Sequence, residues 1–169
     1  YEIDYLGKIR RRIDNNLGYH HCLKFIGDNR LLVLGSDVYP MDTVYELDIN
    51  SGLVKKKINL LDVLSQENSQ LKNYLVNLEY GMGANSLDYK DGKILVSFRN
   101  INTILEINYE NATINYLITS NSTVKKYSSK YLINLNKKIL GIHDVRYLGN
   151  KNISFYNNGY DYTLEHKSE

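Results

Sequence analysis

The sequence predicts an all-β fold, a partial β-propeller of about three blades with a short helical insert at about residues 60–78. Two kinds of hairpin-like segment recur along the chain, and the composition suits strands and turns. Among 169 residues there are 16 Tyr, no Trp and one Pro. Tyr with many Ile, Val and Leu favours half-buried strands, while frequent Asn and Gly favour turns. An irregular β-sandwich is the alternative architecture.

The first repeated segment consists of a strand of alternating polarity, a tight Gly/Asn/Asp turn and a more apolar strand. Its three copies are residues 20–36, 84–99 and 142–157. A second hairpin follows two of these copies, at 43–58 and 103–118, and a related segment opens the chain. Four strands per unit, at a spacing of about 40 to 60 residues, are typical of a propeller.

These units predict one propeller fragment over residues 1–169. Its parts are an outer half-blade (1–13), a blade (19–58), an insert (60–78), a blade (85–118), an insert (120–140) and a partial blade (142–165). The first insert carries leucines at near-helical spacing and is predicted to form one or two short helices. The second insert is polar, basic and poorly patterned, so we expect a surface excursion.

Charge and composition argue against several kinds of function. The net charge of +2 indicates no nucleic-acid-binding surface. No apolar run approaches the roughly 20 residues that span a bilayer. The single cysteine, Cys22, permits no internal disulfide and is expected to be a small buried hydrophobe. Two strand-borne histidines without well-placed carboxylates are too few for a zinc site, so we predict no metal and no cofactor.

The candidate site residues come from the register of the repeat. His21, Asn85 and His143 share one position, at the start of the first strand of each blade. Because first strands line the central channel of a propeller, these side chains are expected to converge on its axis. Arg99 ends the second strand of its blade, where its planar guanidinium suits a tetrahedral oxyanion. In the alternative interpretation, each histidine only bonds a neighbouring loop and Arg99 forms a surface salt bridge.

These segments resemble, in order, three catalytic segments of the bacterial aryl-sulfate sulfotransferases. His20-His21 with residues 42–48 resembles the first segment. Asn85-Ser86-Leu87 with residues 95–100 resembles the second, and Ile142-His143-Asp144 with residues 155–159 resembles the third. The resemblance touches most of the chain outside the two inserts.

The resemblance implies a six-bladed propeller that moves sulfuryl groups between phenols by a ping-pong reaction, without a nucleotide donor. It implies that His143 becomes sulfated, that His21 belongs to a double-histidine motif and that Arg99 binds the sulfuryl oxygens. The candidate substrate-binding residues are His20, Asn85 and Asn100. The implied partners are an aryl sulfate donor and a phenolic acceptor. The implied location is secreted, at the cell surface or periplasmic.

The sequence departs from the family pattern in two segments. Gly81 and Gly83 stand where the family has Trp and His, and Cys22 stands where it has Asp or Glu. Losing one donor from an oxyanion site typically slows a reaction about 100- to 1000-fold. The hypotheses are therefore a sulfotransferase-like enzyme, a non-catalytic propeller that binds a ligand or partner protein, and an unrelated propeller with structural histidines. Because three blades cannot close a ring, we expect the isolated piece to form a homodimer or to be poorly soluble.

Overall fold

The computed structural model describes residues 1–13, 17–36, 38, 42–66, 68–149 and 151–159. Residues 160–165 of the predicted partial blade lie outside this part, as do 37 and 39–41 of the predicted blade 19–58. The strands are β1 (Glu2–Ile3), β2 (Ile9–Arg11), β3 (Gly18–Gly27), β4 (Arg30–Ser36), β5 (Thr43–Asp48), β6 (Val54–Asn59), β7 (Ala84–Lys90), β8 (Lys93–Phe98), β9 (Thr103–Asn108), β10 (Ile114–Thr119), β11 (His143–Gly149) and β12 (Asn152–Tyr156). The α-helices are α1 (Leu60–Ser65), α2 (Ser69–Val76) and α3 (Ser122–Tyr127).

The strands form four antiparallel sheets, which confirms the predicted all-β class. The first sheet has the order β3-β4-β5-β6 and the second sheet the order β7-β8-β9-β10. The third sheet is the hairpin β11-β12, and β1 pairs with β2. Every strand pairs with its neighbour along the chain, as in a propeller blade and unlike the Greek keys of most sandwiches. The architecture is therefore consistent with a partial propeller.

The tight turns explain why the hairpins form where the sequence predicts them. The turn between β3 and β4 places Asp28 and Asn29 at φ 49° and 58°. The turn between β7 and β8 places Asp91 and Gly92 at φ 49° and 72°. Hairpin turns of type I′ require positive φ at both central residues, and Asp, Asn and Gly adopt it at low cost.

The second sheet lies between the first and third sheets, because its edge strand β7 contacts both β3 and β11. Ile94 and Val96 of β8 belong to the core shared with the first sheet. Leu95, between them, belongs to a separate core shared with the third sheet. Successive side chains of a strand point to opposite faces, so the second sheet is buried on both. Burial of both faces explains why the strands of the second sheet are apolar.

The helical insert predicted at about 60–78 is confirmed as α1 and α2. The side-chain oxygens of Asn59 and Asn68 accept backbone N–H groups of the two first turns, at 3.0 and 2.9 Å. The leucines that face the core are Leu60, Leu61, Leu64, Leu71 and Leu75. Among the described residues, no helix is both long and apolar enough to cross a membrane.

The insert at 120–140 contains structure that the sequence did not indicate. Asn121 caps α3 by accepting the N–H groups of Thr123 and Val124, both at 3.0 Å. Val124 is fully buried, and a 3-10 turn at Ser129–Tyr131 follows. A single buried apolar residue produces no helical periodicity in the sequence, so the sequence signal left for α3 was its capping residue, Asn121.

Candidate active site

The candidate residues lie at one end of the first, second and third sheets. His20 and His21 belong to β3, Asn85 to β7, and His143 is the first residue of β11. Arg99 and Asn100 follow directly after β8. Because β3, β7 and β11 are neighbours, the shared register brings these residues towards one another.

Asn85 connects the second sheet to His143. Its Nδ2 lies 2.8 Å from the carbonyl oxygen of Ile142 and 3.0 Å from Nδ1 of His143. Its Oδ1 accepts a 2.6 Å hydrogen bond from the hydroxyl of Ser97. A carbonyl oxygen can only accept, so Ile142 fixes which end of the amide faces His143. Nδ1 of His143 is therefore an acceptor, and the neutral ring carries its proton on Nε2.

Two serines complete the support behind Asn85. Ser86 Oγ accepts the backbone N–H of Val145 at 2.9 Å and contacts Ser97 Oγ at close range. Because Ser97 gives its proton to Asn85, Ser86 donates to Ser97. Both serines are buried, so the network is shielded from water.

His143 is a neutral imidazole near pH 7. Burial, then the Arg99 guanidinium, then His21 lower its pKa below the usual value. Each of these causes disfavours a positive ring. The same effect shows that Arg99 and His21 lie within electrostatic range of His143. The structure thus brings three predicted residues, from three sheets, into one electrostatic environment.

The two adjacent histidines contact each other directly. Their Nδ1 atoms lie 3.0 Å apart, and their rings meet edge to face with centroids 5.1 Å apart. Only one proton fits between two nitrogens at this distance, so one ring donates and the other accepts. His21 is exposed and has φ 59°, a left-handed conformation that is uncommon for residues other than glycine.

Asp42 supports this pair, although the sequence did not indicate it as a site residue. His20 Nε2 lies 3.5 Å from Asp42 Oδ1 and 3.3 Å from Ser36 Oγ. Asp42 Oδ2 accepts the N–H of Ala84 at 2.9 Å. Burial raises the pKa of Asp42 to about 6, while burial and then His21 lower the pKa of His20. The register of the repeat was a signal that could have pointed to Asp42, because it places this acid at the position that Asn102 occupies in the next unit.

Asn100 holds Arg99 and occupies the space beside Gly83. Its Oδ1 accepts from Arg99 Nε at 3.2 Å, and its Nδ2 donates to the carbonyls of Tyr80 and Gly81 at 2.9 and 3.2 Å. A Cβ at position 83 would lie 2.7 Å from Asn100 Nδ2, and Gly83 has φ +72°. Glycine at 83 and this placement of Asn100 therefore depend on each other.

Cys22 is half-buried, and its Sγ lies 3.4 Å from the carbonyl oxygen of Leu87. The thiol thus joins the packing between β3 and β7. Within the described part of the chain, no three His, Cys, Asp or Glu side chains are grouped so as to hold a metal ion.

Comparison with known proteins agrees with the resemblance. Residues 1–169 match the family model described as Arylsulfotransferase (ASST). No curated protein sequence matches the chain. Because the family match covers the whole sequence, the chain belongs to the arylsulfotransferase family.

Proposed function

We propose that the protein transfers a sulfuryl group from a phenolic sulfate ester to a phenol through a sulfohistidine intermediate. The family supports an aryl sulfotransferase-like function with small-molecule substrates. The observation that carries the proposal is the shared environment of the imidazoles of His21 and His143 and the guanidinium of Arg99. His20, Asn85 and Asn100 are proposed to support this substrate site.

The chemistry of these groups suits sulfuryl transfer. A neutral imidazole is a competent nucleophile near pH 7, and the lowered pKa of His143 keeps its ring neutral. A fixed cation stabilises the charge on the equatorial oxygens of a transferring group, as in phosphoryl transfer. Arg99, whose Nε donates a hydrogen bond to Asn100, is proposed to supply that charge. In the ping-pong sequence a histidine nitrogen takes the sulfuryl group, the phenolate leaves, and an acceptor phenolate removes it. The resemblance implies that this histidine is His143.

A second candidate function is a propeller that binds aryl sulfates without turning them over. The observation that favours it is Gly83, where the family carries a histidine. Asn100 occupies the adjoining space, so the site is packed without that imidazole. Arg99 would still attract a sulfate group in such a protein.

The larger assembly is also a proposal supported by the resemblance. We expect this chain to contribute about three blades to a six-bladed ring, in a protein that is secreted, at the cell surface or periplasmic. The apolar residues Leu23 and Phe25 of β3 are 63% and 59% exposed, which fits a strand face that another blade or a second copy covers.

Turnover of 4-nitrophenyl sulfate with an excess of phenol tests the function. We expect continuous release of nitrophenolate by the intact protein, and a release about 100- to 1000-fold slower for Arg99→Ala. Arg10→Ala is the matched control, because Arg10 pairs with Asp4 within the β1–β2 hairpin, which is separate from the three sheets that carry the candidate residues. Binding without release across a panel of donors and phenols would contradict the enzyme and favour the binding module. Absence of binding would contradict both.

A further inference from the structure

A cavity of about 140 Å³ lies between the two inserts. On one side it is lined by residues at the junction of α1 and α2, and on the other by residues between α3 and the 3-10 turn. Ile114, at the start of β10, also lines it. β10 is the edge strand of the second sheet opposite β7, which carries Asn85. The cavity is therefore separate from the candidate active site.

The walls of this cavity are apolar and aromatic. Leu64 and Ile114 are buried, and the rings of Tyr127 and Tyr131 are half-buried against the same core. The ammonium of a neighbouring lysine lies over each ring, 4.9 Å from the centre of Tyr127 and 4.6 Å from that of Tyr131. These contacts restrain the two rings. Restrained aromatic walls favour an aromatic ligand, because rings pack edge to face or offset against one another.

The size of the cavity limits such a ligand to a single ring. An apolar protein cavity of about 150 Å³ holds one benzene molecule. A second fused ring would have to displace Leu64 or Ile114, which belong to the main core. Exposed residues that line the cavity, such as Ser129, leave it open to solvent, so a small molecule can enter.

Ser128 gives the cavity an unused polar group. Its backbone N–H donates to the carbonyl of Val124 at 2.9 Å, and its carbonyl accepts the N–H of Tyr131 at 3.1 Å. Its hydroxyl makes no capping bond and, within the described part of the chain, has no hydrogen-bond partner. Ser128 is only 4% exposed and lines the cavity, so the hydroxyl is open to the cavity. A buried hydroxyl without a partner is unfavourable, and a polar atom of a ligand would relieve that cost.

Asn68 provides a second polar group on the opposite side. Its side-chain oxygen accepts the N–H of Leu71 at 2.9 Å, and this bond fixes which end of the amide is Nδ2. Asn68 lines the cavity and begins α2, whereas Ser128 follows α3. A ligand hydroxyl can accept a hydrogen bond from one group and donate one to another. It therefore suits this pair of residues better than an apolar substituent does.

We propose that this cavity is a binding site for a monocyclic phenol, whose ring packs among Leu64, Ile114 and the two tyrosines and whose hydroxyl bonds to Ser128. The site does not depend on the proposed function, although its ligand belongs to the same chemical class as the proposed acceptor. It would give the protein a second place for a phenol, on the outer edge of the second sheet.

Methyl NMR spectra of the intact protein, titrated with phenol, test the proposal. The methyl signals of Leu64 and Ile114 should shift together and saturate, with a dissociation constant on the order of 1 mM for so small a ligand. The methyl groups of Ile142, beside His143, report separately on the candidate active site. A failure of phenol to bind or react there would therefore contradict the proposed function without affecting this result. If Leu64 and Ile114 show no saturable shift, the cavity holds only water and the proposal is overturned.

Toluene is the matched ligand, because it replaces the hydroxyl of phenol by a methyl group of similar size. Phenol should bind at least about 3-fold more tightly, since only phenol satisfies the Ser128 hydroxyl. Tighter binding of toluene would show that the cavity is simply apolar and would overturn the proposal. This comparison uses the unaltered protein and so does not depend on the folding of a variant.

A substitution at Ser128 provides an independent test. Ser128→Ala should weaken phenol binding about 3- to 10-fold and leave toluene binding unchanged. Ser122→Ala is the matched control, because Ser122 is an exposed serine at the start of α3, and it should change neither affinity. Equal phenol affinities in the two variants would overturn the assignment of the phenol hydroxyl to Ser128.

Discussion

The first and second sheets are joined to their neighbours by the same bond, but only one of these bonds carries a charge. Just before β5, Asp42 Oδ2 accepts the N–H of Ala84 at 2.9 Å. Just before β9, Asn102 Oδ1 accepts the N–H of Gly141 at 2.7 Å. In the second sheet Ala84 stands in the register position of His20. The repeat thus requires a hydrogen-bond acceptor at this position in both sheets. In the first sheet the acceptor is the Asp42 carboxylate, which also lies beside the imidazole of His20.

A second pair of contacts repeats with the same logic. Buried Glu46 in the first sheet accepts a hydrogen bond from the hydroxyl of Tyr109. Buried Glu106 in the second sheet accepts one from Tyr147, at 2.9 Å. These carboxylates pair with the next sheet in both cases, so they belong to the repeat. What distinguishes the first sheet is the histidine pair and its acid.

The largest effect on stability is expected at Gly83, just before the second sheet begins. Gly83 stands in the register position that Tyr19 occupies in the first sheet. Gly83→Ala should lower the free energy of unfolding by about 2–4 kcal/mol, from its left-handed φ and the clash with Asn100. Gly92→Ala is the matched control, since Gly92 also has φ +72° but nothing within 4 Å of its Cβ position. It should lose about 1–2 kcal/mol in urea unfolding. Equal losses of stability in the two variants would show that the Asn100 side chain moves away from an added Cβ at little cost.

Substitutions that remove the charge at Asp42 and add one at Asn102 test the comparison between the first and second sheets directly. Burial raises the pKa of Asp42 from its usual value of 3.8 to about 6, so ionisation destabilises the folded protein as pH rises through this interval. Asp42→Asn should therefore raise the free energy of unfolding by about 1–3 kcal/mol at pH 8 and leave it unchanged near pH 3. Asn102→Asp should lower it by a similar amount at pH 8. Urea unfolding against pH measures both, and a loss of stability in Asp42→Asn at pH 8 would contradict the argument.

The sequence predicted the fold because the repeat expresses it locally. The Asp28-Asn29 and Asp91-Gly92 turns and the alternating strands specify each hairpin without reference to distant residues. Register also predicted that Asn85 and His143 are equivalent positions, and the structure adds a bond between them. Equivalence of position is a property of the repeat, so it can be read from one sequence.

Other features of the site depend on contacts between distant segments. Asp42 lies beside His20 because β4 runs antiparallel to β3 and brings the chain back to that end of the sheet. Asn100 lies beside Gly83 because β8 runs antiparallel to β7 in the same way. The direction of each hydrogen bond depends on fixed acceptors, such as the carbonyl of Ile142. Sequence spacing contains no information on which end of an amide faces a ring. The histidines could be chosen from sequence, but their protonation could not.

The smallest effects are expected at the repeated tyrosines, and their order sharpens the comparison. Tyr109→Phe should cost about 2 kcal/mol, because Glu46 then keeps only a 3.8 Å contact with Arg30 among its described pairings. Tyr147→Phe should cost about 1 kcal/mol, since Glu106 still accepts from Asn115 at 3.0 Å.

Urea unfolding of the two variants measures this difference, with Tyr5→Phe as a control at a side chain that is 95% exposed. The expected order follows from the number of partners that each carboxylate retains, because a buried acceptor is most costly when its last good donor is removed. Equal losses would mean that the tyrosine hydroxyl alone determines the contribution of each contact. The two sheets would then be equivalent here, and their difference would be confined to the histidine pair and Asp42.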